Sequence, residues 1–523
     1  MTAFLPDEQL PANPQEVAVR RVLVVGGGSS GWMAAAALAT TLSRHVELTL
    51  VESDAIGTVG VGEATIPPIQ KFNRLLQLDE REFLSATQGT FKLGIEFLNW
   101  ARGGDRYLHQ FGAVGREIDA LTKLHHWWQA GRIAAATDGL PYPAWQELHV
   151  AWHAASQDRF APAGPAKQQL RNRYAHAYHF DAHLYAAYLR RLAESRGARR
   201  VEGRVTGIER DGESGLVTAV VLEDGRRLEG DLFLDCSGFR SLLLGSELGE
   251  RWDDWSAFIP SDRAIAIPTR RAQGGLKPYT QGIAHKVGWQ WRIPLQHRTG
   301  NGHVFASAFS SEDDAERRLL ENLDAPAIGE PRVIRFRTGR YDRAWVGNVV
   351  GIGLSAGFLE PLESTSLHFV QSALERLIEL FPSRAMDAAL RDRFNAEAKA
   401  EWLGVRDFIV AHYHLTQRED SEFWRYTANM QIPDSLAGIL DLWRARGVLG
   451  VDGGHLFQIG SWASLLIGQR FLPGGVHGLA DRADPAYAAQ QIRTIADECA
   501  AAVEDMPSHA DFIAGYCPAP ALA

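Results

Sequence analysis

A glycine turn set between two apolar stretches constrains this chain more than any other feature. The segment "RVLVVGGGSSGWMAAAALATTLSRHVELTLVES" reads as strand, turn, helix and second strand. Val22 to Val25 form the apolar run of a buried strand. Gly26, Gly28 and Gly31 make G-x-G-x-x-G, the alanine-rich stretch from Met33 to Leu42 favours helix, and "VELTLVE" alternates and ends in Glu52. In this context each glycine has a separate task. Gly26 permits the tight turn, Gly28 lets a pyrophosphate approach the backbone, and Gly31 lets helix and strand pack closely. Free N–H groups where the helix opens, at Ser29 and Ser30, suit phosphate oxygens. Glu52, 21 residues after Gly31, is placed to accept from both hydroxyls of an adenosine ribose. A strand–helix–strand unit that binds nothing is the alternative, and the acid weighs against it.

The motif alone does not separate NAD from FAD, but its position helps. Further dinucleotide-domain segments recur hundreds of residues later. "RVTGIERDGESGLVTAVVLEDGRRLEGDLFLDCSG" reads as a β-meander and a return strand, and "RAWVGNVVGIGLSAGFLEPLESTSLHFVQSALERLIEL" as strand, glycine-bearing turn and helix. A nucleotide domain split by long insertions, with its last strand near residue 350, is the architecture of FAD monooxygenase-like enzymes. The expected fold class is therefore α/β with α+β elements: an FAD-binding Rossmann-like domain of the FAD monooxygenase type, with an inserted sheet. Residues 1–19 are expected to be a disordered lead-in, 20–383 the FAD domain with a substrate-side sheet at about 260–340, and 384–523 a helical substrate-binding cap.

Charge and composition exclude several function classes. The net charge is −9, with 54 basic side chains scattered rather than clustered, which argues against a nucleic-acid partner. No apolar run reaches membrane-spanning length, and the acidic, proline-rich N-terminus lacks the apolar core of a signal peptide. A cytoplasmic protein is the expectation. Cys236, Cys499 and Cys517 lie far apart and read as free thiols. His176, His179 and His183, and likewise His412 and His414, carry no ligand set resembling a zinc site, so no metal is expected. The 15 tryptophans and 23 phenylalanines suit either a large core or a site for a flat ligand.

Four further stretches resemble the flavin-dependent tryptophan halogenase family. They are "VGVGEATIPPIQ", with Gly60 to Thr65 matching a flavin-contacting run; "GTFKLGIEFLNW", carrying Lys92; "GWQWRIP", from Gly288 to Pro294; and "LEPLESTSLHF", containing Glu363, Ser364 and Thr365. Together with the glycine turn they run in the family's order over about residues 20–425. The resemblance implies FAD, supplied reduced as FADH2 by a separate NADH-dependent flavin reductase, and O2 and a halide ion as co-substrates. It implies flavin contacts at Gly62, Glu63, Ala64, Val205, Leu354 and Leu367, besides the glycine turn.

It also assigns roles. Hypohalous acid is made beside the flavin, and Trp289 and Trp291 screen the flavin from the organic substrate. Lys92 stands between the two chambers, either donating a hydrogen bond to hypohalous acid or becoming halogenated as a free amine. A lowered lysine pKa would favour the second route. An ordinary surface pair with Glu96 at i,i+4 is the plain alternative for Lys92. Glu363 takes the proton from the ring intermediate or orients the lysine, its alternative being a helix-start acid. Thr365 and Ser366 form the halide site through backbone N–H groups.

Two features depart from the family pattern. The well-known tryptophan chlorinases carry Gly after the Thr, where this chain has Ser366, so bromide is expected to serve at least as well as chloride. Near the C-terminus, "FQIGSWASLLIGQ" offers Phe457 and Trp462 but no carboxylate to hold an amino group. An indole-like or phenolic ring is therefore the expected substrate. His109, in "YLHQFG", matches a family position near the reacting ring, though a structural histidine is equally ordinary. "HHWW", from His125 to Trp128, is either substrate cover or a buried helix. Competing readings are an FAD-dependent aromatic hydroxylase and a non-catalytic flavin-binding protein. A homodimer is compatible with the sequence.

Overall fold

The computed structural model describes residues 18–42, 44–56, 62–163, 169–272, 275–451 and 453–521. Gly60 and Val61 of the flavin-contacting run, and residues 1–17 of the expected lead-in, lie outside them. The last two lead-in residues differ from expectation: Ala18 bridges to Ser383 and Val19 is buried. An apolar side chain with a core to enter does not stay in solvent.

The glycine turn leads into a six-stranded sheet. Strand Arg21–Val25 pairs in parallel with Glu47–Glu52 on one side and Leu232–Asp235 on the other. Arg199–Glu202 and Val349–Gly351 extend the sheet, and Trp345–Val346 closes one edge antiparallel. The helix Ser29–Leu42 buries Gly31 through Ala39 without interruption. That follows from its composition: small residues on every side let it lie under the sheet while helices Ala182–Ser195 and Ser366–Glu379 pack on it.

A second sheet has seven strands, and residues of both sheets line one cavity. Five strands come from the expected insertion, in the order Arg332–Arg335, Arg263–Arg270, Arg298–Phe305, Trp289–Pro294 and Thr280–Ala284. The other two, Gly94–Leu98 and Arg106–Gln110, come from far earlier in the chain and join through a parallel pairing with Thr280–Ala284. This pairing ties the segment after Lys92 to the Trp-x-Trp strand. Lys92 itself ends the short strand Thr90–Lys92, which pairs with Ala177–Asp181, the strand that also holds Gly62–Ala64. From residue 388 the chain is helical, beginning with the 27-residue helix Ala388–His414. The second half of that helix, Val405 to Tyr413, is buried throughout, so it runs through the interior rather than along the surface. Among the described residues no helix is long and apolar enough to cross a membrane.

Candidate functional site

The glycine turn opens one end of a long cavity. Gly26 has φ +113°, and a Cβ there would stand 2.3 Å from the carbonyl oxygen of Cys236, so only glycine makes this turn. A Cβ on Gly31 would stand 1.8 Å from the Gly26 oxygen, the close packing expected of the third glycine. Gly27, not singled out from the motif, is equally constrained: its Cβ would collide with the Glu52 carboxylate. In front of Gly28 a Cβ would meet nothing within 4 Å, leaving the start of the helix open to the cavity. Gly26, Gly28, Ser29, Ser30, Glu52, Gly62, Glu63, Ala64, Val205, Leu354 and Leu367 all line this cavity; Gly31 lies beneath it. Glu52 receives Nε of Arg200 at 2.6 Å, which fixes the carboxylate at the rim. Burial, with Asp181 nearby, pushes Glu63 up to about 7. The cradle without side chains, the open helix start and the acid fit the pyrophosphate and ribose of FAD.

The other end of the cavity is walled by Trp291, Ile293, Pro361, Ser364 and Ser366. Trp289 and Trp291 share one face of their strand with ring centroids 6.2 Å apart, but Trp291 lines the cavity and Trp289 does not. Gly288, with φ +72°, starts this strand where a Cβ would be 1.9 Å from the Val304 oxygen.

The turn Pro361–Glu363 is the hinge of the site. Ser364, a non-glycine residue, adopts the left-handed conformation at φ +58°, at a cost of about 1–3 kcal/mol that the surrounding packing sustains. The kink lets helix Ser366–Glu379 begin at the cavity wall. Its first N–H groups have no partner within the helix, and the Thr365 hydroxyl is buried without one. Thr365 and Ser366 therefore present unmet donors, as an anion site requires.

Lys92 reaches the same turn from the opposite side. It is fully buried; Nζ donates to the Ser364 hydroxyl at 2.7 Å and to the Thr65 carbonyl at 3.0 Å. The Phe111 ring centroid is 5.2 Å away. Desolvation drives the amine down to about 7, against the opposing pull of the Glu363 charge. The plain alternative, an ion pair with Glu96, does not form: Glu96 binds Arg106 and Gln281.

Glu363 is also fully buried, among different partners. Oε2 meets Nδ1 of His109 at 2.8 Å, and Oε1 lies 3.0 Å from Nε2 of His412, an ion-pair distance at an angle short of a good hydrogen bond. Burial alone would push this carboxyl up. The His109 charge, with the contacts to His109 and His412, overcomes burial and holds it down to about 2. Nδ1 of His412 faces the Phe408 carbonyl at 2.9 Å and must donate to it, so Nε2 can donate to Glu363 only in the imidazolium form.

Beyond Glu363 lies an aromatic enclosure. Phe408 stacks on Phe457 at 3.9 Å, meets Trp462 edge-on at 4.9 Å, and stands 5.4 Å from His109; Phe457 is 5.9 Å from His109. The structure thus gathers His109, Phe457 and Trp462 around Phe408. Phe408, His412 and the Ser364 hydroxyl were missed from sequence. Only their place in an unusually apolar helix stretch, "RDFIVAHY", or in the Glu363 turn could have signalled them. His125 to Trp128 lie buried on the helix Leu124–Thr137, with His125 bonded to the Gly447 carbonyl at 2.9 Å.

The family model described as Tryptophan halogenase matches residues 21–485. A tryptophan 6-halogenase from Streptomyces toxytricini is 34% identical over 515 residues, covering 94% of this chain and 98% of that protein. Among solved structures, a flavin-dependent halogenase from Xanthomonas campestris superimposes with a TM-score of 0.92 at 42% identity, covering 97% of this chain and 100% of the other. BrvH, a flavin-dependent halogenase from Brevundimonas sp. BAL3, gives 0.90 at 39% identity, covering 96% and 99%.

Proposed function

The chain belongs to the tryptophan halogenase family, and from that premise we propose that it halogenates an electron-rich arene, such as an indole or phenol, through Lys92 and Glu363. It is a flavin-dependent halogenase and uses FADH2, O2 and halide. FADH2 bound in the long cavity supplies, with O2, the two-electron oxidation that converts halide to hypohalous acid. The rest falls to the chain's own backbone and side chains. The N–H groups at Thr365 and Ser366 hold the halide at the cavity wall. Trp291 closes the cavity toward the arene.

Lys92 takes the halogen. Its two hydrogen-bond acceptors, Thr65 and Ser364, match the two N–H groups of a neutral amine and leave the lone pair free to attack the halogen of hypohalous acid. The N–halogen bond forms as the halogen–oxygen bond breaks, and hydroxide leaves with the amine proton as water. Glu363, charged at all working pH values, stabilises the cationic ring intermediate and then accepts its proton. A carboxylate held near 2 is a weak base, but a protonated arene is a far stronger acid, so the transfer runs downhill. His109, bonded to the same carboxylate, fixes its orientation.

The stretch from Gly453 to Gln469 contains no Asp or Glu. The reading is therefore a flat ring held by Phe408, Phe457 and Trp462 rather than an amino acid held by its ammonium. The observation that carries the proposal is one turn, Pro361–Ser366, that faces the cavity, Lys92 and the aromatic enclosure at once.

The test is incubation with a flavin reductase, NADH, FAD, bromide and a panel of indoles, phenols and free tryptophan, read by mass spectrometry. Brominated arenes lacking an amino-acid group should dominate. Hydroxylated product regardless of halide, or bromination confined to free tryptophan, would overturn it.

A further inference from the structure

Glu360, three residues before Glu363, has no part in the chemistry above, yet it is fully buried. Its Oε1 accepts two hydrogen bonds, from the indole Nε1 of Trp289 at 2.8 Å and from the hydroxyl of Tyr413. The Ser261 hydroxyl stands 3.5 Å from that of Tyr413. Oε2 is buried without a partner. A carboxyl so placed is expensive to bury, and desolvation pushes it up to about 7 against the bonds from Tyr413 and Trp289.

The cost becomes intelligible from what the oxygen joins. Trp289 sits on the Trp-x-Trp strand, Tyr413 near the end of helix Ala388–His414, and Glu360 directly before the turn Pro361–Glu363. The neighbour of Tyr413 is His412, which meets Glu363. Two acids three positions apart on one turn thus grip consecutive residues of one helix. Through Trp289 the first acid also touches the ring beside Trp291, the cavity wall.

We propose that Glu360 is a positioning residue whose single buried oxygen locks the Trp289 indole and the end of helix Ala388–His414 against the catalytic turn, so that oxidant made in the cavity passes to Lys92 instead of escaping. The proposal rests on the halogenase reading and deepens it. Two acceptor bonds to one oxygen fix the indole plane and the helix end in a common frame. Loss of that oxygen frees both without touching Lys92, Glu363 or the halide turn.

The test uses the complete enzyme with a flavin reductase, bromide and indole. Two quantities are read: brominated indole per O2 consumed, and hypobromous acid reaching bulk solvent, captured by a 1,3-dione trap. Glu360→Leu should lower product per O2 at least tenfold while trapped oxidant rises. Glu360→Gln, which keeps the accepting oxygen, should stay within about twofold of wild type. Tyr413→Phe deletes one donor and keeps its ring, and Trp289→Phe deletes the other and leaves a smaller aromatic ring; each should lower product per O2 about threefold, and both read the proposal even if Glu360→Leu does not fold. Unchanged coupling in both Phe variants would overturn it. So would a Glu360→Gln enzyme as leaky as Glu360→Leu, which would assign the role to the acid's proton. A wild type that brominates nothing would instead overturn the function proposed above.

Discussion

The surroundings of Lys92 and of Glu363 answer one physical problem in opposite ways. Both groups are fully buried, and both have lowered pKa values. For the lysine, lowering means losing its charge: its hydrogen-bond partners, Thr65 and Ser364, are neutral, so desolvation wins. For the glutamate, lowering means keeping its charge, because two imidazoles face its two oxygens. Burial makes charge expensive, and the neighbours decide whether the charge survives. The contrast is between a buried amine that sheds its charge near neutral pH and a buried carboxylate that keeps it.

Lys92→Ala breaks the first half of this contrast and should have the largest effect. Halogenation should fall to background while reduced FAD is still oxidised by O2, as stopped-flow absorbance would report. Lys92→Met gives a stability readout. A lysine lowered from 10.5 to about 7 costs the folded state its full penalty below pH 7, and the penalty fades as pH rises toward 10.5. Lys92→Met should therefore raise stability by about 1–3 kcal/mol near pH 7, after loss of two hydrogen bonds, and lower it by about 1–2 kcal/mol near pH 10, where the penalty has faded and the lost bonds remain. Thermal melts at the two pH values check this.

Glu363→Gln breaks the second half. The amide keeps the shape but removes the charge, so turnover should drop about 100-fold with less change in substrate KM. Its stability signature has the opposite pH sense. A carboxyl lowered from 4.5 to about 2 contributes stability that is present above 4.5 and is lost as pH falls toward 2. The wild type should thus be more stable than Glu363→Gln at pH 6, with the gap closing on acidification.

The two halves also differ in how far the sequence announced them. The cavity end was legible because its constraints are local. Gly26, Gly28 and Gly31 act within six residues, and Glu52 sits at a spacing set by one helix and one strand. Lys92, Trp289 and Glu363 were legible through family resemblance, since no periodicity marks a buried lysine. Two of the groups that hold Lys92 and Glu363, Ser364 and His412, were not. Ser364 acts through a left-handed kink, and His412 reaches Glu363 along an interior helix about fifty residues later, a contact that only the packed fold creates. Phe408 was hidden for the same reason: inside an apolar helix stretch, a phenylalanine that stacks on Phe457 looks like any core residue. The seven-stranded sheet likewise draws Gly94–Leu98 and Arg106–Gln110 from outside the expected insertion. A parallel pairing across that distance leaves no local trace.

The pH profile sharpens the contrast further. Attack by a free amine requires Lys92 to be deprotonated, so halogenation should rise with pH and level off above about 7. Across pH 6 to 8 the expected rise is about tenfold. Donation of a hydrogen bond by the ammonium predicts the reverse, a decline above about 7. Single-turnover bromination with pre-reduced FAD isolates this step from the reductase.

Ser366 is expected to give the smallest effect, and the reason lies in the halide's place between the two halves. In the halide site proposed above, the ion would lie where helix Ser366–Glu379 begins, held by backbone N–H groups rather than by a full charge. Chloride is smaller and more strongly hydrated than bromide, so it gains more from N–H groups that can close around it. Ser366 lines the cavity and carries a β-carbon and a hydroxyl that limit such closure. Ser366→Gly should therefore raise the chloride-to-bromide ratio of products about threefold in competition, roughly 0.6 kcal/mol. Ser366→Ala keeps the β-carbon and separates the two causes. If the alanine variant behaves as glycine does, the hydroxyl sets the preference; if it behaves as serine does, backbone freedom sets it. A wild type that already prefers chloride would place the selectivity elsewhere, at the Thr365 hydroxyl or in the oxidation step itself.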